Sequence, residues 1–126
     1  MQGGKAMTFD EIKQNLMMLD NPVDRLEMVM DLGNSAAPVP DDAVCTEIQG
    51  CTSFVQICRR GNNFWVNADS VLVRGVATII VAMVDGKTPD EIKKMDVAGE
   101  FAALNLGLGA ARLNGVNSMI RFLQNL

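Results

Sequence analysis

Histidine and tyrosine are both absent from this sequence. Without imidazole the chain cannot run Cys-His or Ser-His nucleophilic catalysis, hold zinc through histidine, or use imidazole as an acid–base group. Positive charge is also short, with 11 Lys+Arg against 15 Asp+Glu and a net charge of −4. The pI is near 4.7. No basic stripe is present to meet phosphates, which argues against a nucleic-acid partner and favours a basic protein surface. Cysteine is scarce and odd in number: Cys45, Cys51 and Cys58, six and then seven residues apart. That is neither a secreted disulfide framework nor the CxxC pairs of a zinc ribbon. The spacing reads as free thiols in a reducing compartment, the cytoplasm. The start, Met1-Gln2-Gly3-Gly4-Lys5-Ala6, has no apolar stretch of the signal-peptide kind; residues 1–7 read as a flexible arm or expression remnant. The longest apolar run, Val71 to Val84, is broken by Arg74, Gly75 and Thr78 and is too short to span a membrane.

What is there suits one compact domain. A chain of 126 residues with 48% apolar residues can bury a core without staples. Thr8-Phe9-Asp10-Glu11 fits a capping box, and Phe9, Ile12, Leu16 and Leu19 follow at helical spacing, predicting a helix over 9–19. Asn21-Pro22 starts a second, with Val23, Leu26, Val29 and Met30 as its apolar face and Gly33 as its stop. Met17, Met18, Met28 and Met30 read as core filler. Pro38 and Pro40 mark an extended connector.

Three short strands are predicted next, over 43–48, 53–59 and 64–67, with Gly61-Asn62-Asn63 as a tight turn. Between the first two lies Glu47-Ile48-Gln49-Gly50-Cys51-Thr52-Ser53. A glycine directly before the cysteine permits a tight turn, so Cys51 is placed at a loop tip. Cys58 falls inside a strand and reads as structural; Cys45 is ambiguous. Asp69-Ser70 caps an apolar helix that ends at Asp85-Gly86, with Asp69 as the capping carboxylate. Thr88-Pro89-Asp90-Glu91 is a second capping box, Asp96 caps another short helix, and a last helix runs from Ala110 to the C-terminus. Gly107-Leu108-Gly109 lacks the context of a phosphate loop.

Several of these residues form a pattern. Ile48-Gln49-Gly50-Cys51-Thr52-Ser53 resembles the I-x-G-C-x-S loop of the SufE/CsdE family, the sulfur-acceptor partners of cysteine desulfurases. Asp69 to Gly75 is similar to that family's S-D-A-x-I-V-K-G helix start, and Asp85 to Ile92 to its N-G-K-T-P-E-E-I turn. Asp96, Phe101 and Leu106 fit the next helix and loop, and Arg112 to Ile120 resembles S-R-x-N-G-L-x-A-M-I. Leu32-Gly33 and the Pro38-x-Pro40 connector also fit, so the resemblance spans about residues 20 to 125.

The resemblance implies an α+β fold: a small three-stranded antiparallel sheet packed against helices, similar to iron–sulfur scaffold proteins. It implies that persulfide sulfur passes from a PLP-dependent cysteine desulfurase to Cys51 and on to an iron–sulfur scaffold, with stimulation of the desulfurase. Arg112 would stabilise the thiolate and persulfide, and Gly50 and Asp69 would support the loop. No cofactor or metal, no membrane and no more than a weak dimer are implied. Gln56, Ala111 and Ala68 depart from the pattern, where an aromatic, a serine or threonine, and a serine are usual. A different reading makes the chain a metal or cluster scaffold using Cys45, Cys51, Cys58 and Asp69. A third makes it an interaction domain in which Cys51 is incidental.

Overall fold

The computed structural model describes residues 7–126. Residues 1–6, most of the arm named above, lie outside them; Met7 is half-buried against the core. Six helices and one sheet follow in the order α1 (Phe9–Met17), α2 (Pro22–Asn34), β1 (Val44–Glu47), β2 (Val55–Arg60), β3 (Asn63–Ala68), α3 (Val71–Val84), α4 (Pro89–Lys93), α5 (Val97–Ala102) and α6 (Ala110–Gln124). This is the expected α+β arrangement.

Local chemistry accounts for most element starts. In α1 the Thr8 Oγ1 accepts from the Glu11 amide at 3.2 Å, and the Glu11 carboxylate accepts from the Thr8 amide at 2.8 Å. Two amides that no helical carbonyl reaches are thereby satisfied. The same reciprocal pair, Thr88 and Glu91, opens α4. Asn21 caps α2 ahead of Pro22, its side chain accepting from the Val23 amide at 2.8 Å.

The sheet is a meander in the order β1-β2-β3, antiparallel throughout. Val55, Ile57, Phe64 and Val66 bury its inner face against α3. Gly61 takes φ +61°, which lets Gly61-Asn62 join β2 to β3 in two residues. The Asp85 carboxylate at the end of α3 accepts from the Phe64 amide at 2.9 Å and so ties the helix to that hairpin. α3 is the centre of the molecule, packed by α2, β3, α6, α1 and α5, and Ile79, Ile80 and Val84 are fully buried. A helix apolar on most sides is enclosed on most sides.

Several details differ from the sequence reading. α1 stops at Met17, two residues short of Leu19. Gly33 does not stop α2, which continues to Asn34 with Ser35 as its cap. It sits instead where α2 crosses α3: a Cβ on Gly33 would run into the Val71 carbonyl, and one on Gly75 into the Val29 carbonyl. The buried face of α2 is Val29, Leu32 and Gly33, and Val23 is 63% exposed. Met17, Met18 and Met30 are exposed and fill no core. The expectation of three free thiols is corrected as well. Cys45 and Cys58 are direct cross-strand partners in the β1–β2 register and form a disulfide. Sequence spacing alone does not show that two strand positions face each other; the register does.

Candidate functional site

The β1–β2 hairpin loop is closed at its base by the Ile48 amide donating to the Val55 carbonyl at 2.9 Å. Gly50 turns the chain with φ +91°, a conformation L side chains rarely adopt. A Cβ there would also stand 2.6 Å from the Ser118 hydroxyl on α6. The backbone is what requires glycine here, since the Ser118 hydroxyl lies at the end of a rotatable side chain. The turn presents Cys51 to α6, where its thiol donates a weak hydrogen bond to the Gly115 carbonyl at 3.9 Å. A Cβ at Gly115 would come within 3.2 Å of the Cys51 sulfur. Gly115 therefore lets the thiol lie against the helix backbone.

Cys51 is the free cysteine among the described residues, and it is half-buried. It borders a small pocket of about 20 Å³ whose other walls include Ser53, Val73, Val76, Arg112 and Met119. Burial pushes the Cys51 thiol pKa up, because the thiolate is taken from water into apolar surroundings. The sign fixes a prediction. A group whose pKa is raised by folding contributes stability below its unfolded pKa and loses it as pH rises through the folded value. Alkylation of Cys51 in the folded protein should therefore reach half its maximal rate above about pH 8.5, the ordinary thiol value. The same cysteine in denaturant should return to that value. A folded-state midpoint at or below the denatured one, read by mass after timed alkylation, would contradict this burial effect.

The predicted site residues fall into two groups. Cys51, Gly50 and Arg112 are brought together: Arg112, in the first turn of α6, borders the same pocket, with its side chain exposed to solvent. α6 has Gly109 as its N-cap residue, which carries no side chain to accept from the first amides of the helix. Asp69 is placed differently from expectation. Ser70, not Asp69, caps α3, its hydroxyl accepting from the Val73 amide at 3.3 Å. Asp69 stands one residue before the cap, exposed, and its amide donates to the Phe54 carbonyl at 3.3 Å, tying the end of the Cys51 loop to α3.

The four-ligand alternative is corrected outright. Cys45 and Cys58 are bonded to each other. No group of three metal-ligating side chains comes together among the described residues. Residues missed from sequence are Gly115, Val73, Val76 and Met119, which shape the pocket. Gly115 had a signal: a glycine inside a helix is unfavourable by about 1 kcal/mol against alanine unless something needs the space. A much larger groove, about 1180 Å³, runs between α1, β3 and α3, lined in part by Phe9, Trp65 and Met83, and holds none of these site residues.

With this geometry in hand, similarity to other proteins is decisive. The family model described as SufE, Fe-S metabolism associated domain, matches residues 10–126. This chain belongs to the SufE family. An uncharacterised SufE-like protein of Rhizobium meliloti is 30% identical, with 90% of each chain covered. The sulfur acceptor protein CsdE of Escherichia coli is 26% identical, covering 92% of this chain and 85% of that one. A solution structure of a hypothetical protein from Thermus thermophilus has the same fold, with a TM-score of 0.70 at 18% identity over 94% of each chain. The SufE domain thus runs from α1 to α6, and the Cys51 loop lies well within it. Among the described residues no helix is long and apolar enough to cross a membrane.

Proposed function

We propose that this protein is a sulfur acceptor in iron–sulfur metabolism, taking a persulfide sulfur onto Cys51. The observation that carries this is a free thiol on a loop, against a pocket with room for about one more atom, in a chain of the SufE family. The likeness to the CsdE sulfur acceptor supports the same reading.

The step is a thiol exchange. The Cys51 thiolate attacks the terminal sulfur of a donor persulfide. A new bond forms between that sulfur and Cys51 Sγ, the donor's S–S bond breaks, and the donor leaves as a thiolate. No outside oxidant or reductant enters. The donor is a PLP-dependent cysteine desulfurase, whose turnover rises as its persulfide is cleared, and the sulfur goes on to an iron–sulfur scaffold. Burial holds the resting thiol protonated, so the thiolate forms when the loop is drawn out toward the partner. Arg112, at the pocket rim, supplies positive charge to the thiolate and to the persulfide anion that follows. The Asp69 amide anchors the loop while its tip moves. The carrier works as a monomer or weak dimer. Its compartment is the cytoplasm, whose reducing conditions keep Cys51 free.

The test is intact mass after incubation with the desulfurase of its own organism and cysteine, without reductant. Added sulfur that a thiol later removes is the expected result. No added sulfur would overturn the proposal.

A further inference from the structure

Beside Cys51 lies a polar atom that the resting fold leaves unused. The Ser53 hydroxyl oxygen is buried and has no hydrogen-bond partner among the described residues. Buried hydroxyls are nearly always paired, and an unpaired one is unfavourable to keep. Ser53 borders the same small pocket as Cys51. The pocket's deeper walls, Val73, Val76, Gly115 and Met119, carry no polar side-chain group. Thr52 and Arg112 also border it, but both side chains are exposed. Ser53 is therefore the buried side-chain donor in this place.

We propose that Ser53 binds the terminal sulfur of the Cys51 persulfide, its hydroxyl donating a hydrogen bond to that sulfur. The inference rests on Cys51 being the acceptor. Size supports it: about 20 Å³ is room for roughly one water-sized sphere, the scale of one added sulfur. The resting Cys51 sulfur is no partner of the Ser53 hydroxyl, and a persulfide carries a second sulfur about 2.05 Å beyond the first. Charge completes the case. The terminal sulfur of a persulfide ionises readily, and an anion in an apolar pocket requires a donor. Loading the carrier would thus satisfy the orphan hydroxyl and the buried anion together. The sulfur-free state leaves the hydroxyl without a partner among the described residues, which biases the pocket toward the loaded form.

The experiment compares wild type, Ser53→Ala and Cys51→Ser, each loaded with inorganic polysulfide and, separately, with desulfurase and cysteine. Loss of the added sulfur to cyanide is followed by intact mass across a pH series, and thermal unfolding of the sulfur-free proteins is recorded. A hydrogen bond to an anion is worth about tenfold or more in such an equilibrium. Ser53→Ala is expected to load at Cys51 but to lose its sulfur about tenfold faster, with the persulfide's ionisation displaced to higher pH. Its sulfur-free form should melt at the wild-type temperature or above, because an unpartnered hydroxyl has been removed. A lower melting temperature with an unchanged sulfur lifetime would assign Ser53 to the fold alone and overturn the proposal. Equal lifetimes and pH profiles in wild type and Ser53→Ala would overturn it while leaving Cys51 as acceptor. Failure of wild type to load from either source, or equal loading of Cys51→Ser, would remove the acceptor reading, and this inference with it.

Discussion

Alanine at Gly75 is expected to lower the unfolding free energy by about 3 kcal/mol, through overpacking at a rigid contact. Gly75 on α3 and Gly33 on α2 are where these two helices meet backbone to backbone. A methyl group at Gly75 would run into the Val29 carbonyl oxygen and press on the Val29 side chain at 2.8 Å. A carbonyl held in a helix cannot rotate away as a flexible side chain can. The helices must part, and contacts along the α2–α3 seam loosen with them. Alanine regains up to about 1 kcal/mol of helix propensity over glycine, which reduces the loss without reversing it. Against a total stability of about 5–15 kcal/mol for a domain, the remainder is large. Urea unfolding followed by circular dichroism reads it directly. A midpoint equal to that of wild type would show that the seam yields easily and that the close approach is not structural.

Serine at Cys51 should abolish sulfur acceptance completely, while alanine at both Cys45 and Cys58 should preserve it. The first substitution changes one atom. An alcohol oxygen is not ionised near neutral pH and forms no persulfide, so the exchange has no nucleophile. The fold should be little affected, since serine is smaller than cysteine and Cys51 makes only a weak 3.9 Å bond to Gly115. The paired substitution removes a cross-link with a sequence separation of 13, a loss of roughly 3 kcal/mol of stability by loop-closure entropy. It leaves the thiol at position 51 in place. Mass analysis of both proteins after incubation with desulfurase and cysteine separates the two roles. Sulfur carried by Cys51→Ser, or lost from the double variant while it remains folded, would reverse them.

Most of the architecture could be read from local signals. Both capping boxes, at Thr8 and Thr88, form as their residues predict. The Gly61-Asn62 turn and the strand alternation place the meander, and Gly50 places Cys51 on its loop. What could not be read depends on contacts between elements. The pairing of Cys45 with Cys58 is a matter of register, invisible in gaps of six and seven residues. Gly33 carries a stop signal, yet its lack of a side chain serves α3, a partner far away in sequence. Asp69 and Ser70 are equally good caps by composition; only the geometry of the turn from β3 selects Ser70. Val23 and Met30 have the spacing of a buried face, but nothing covers that side of α2 among the described residues. In the site itself the motif residues converge, whereas the orphan state of the Ser53 hydroxyl emerges only when every neighbour is in place.

The bond between Cys45 and Cys58 encloses the whole loop that carries Cys51. The loop is thereby a covalent ring as well as a hairpin. A protease that cuts once between Thr46 and Ile57 opens the ring without dividing the molecule. Such a nicked chain would run as one species on a denaturing gel without reductant and as two with it. Both pieces would remain held at the sheet edge, so a severed loop need not release its thiol.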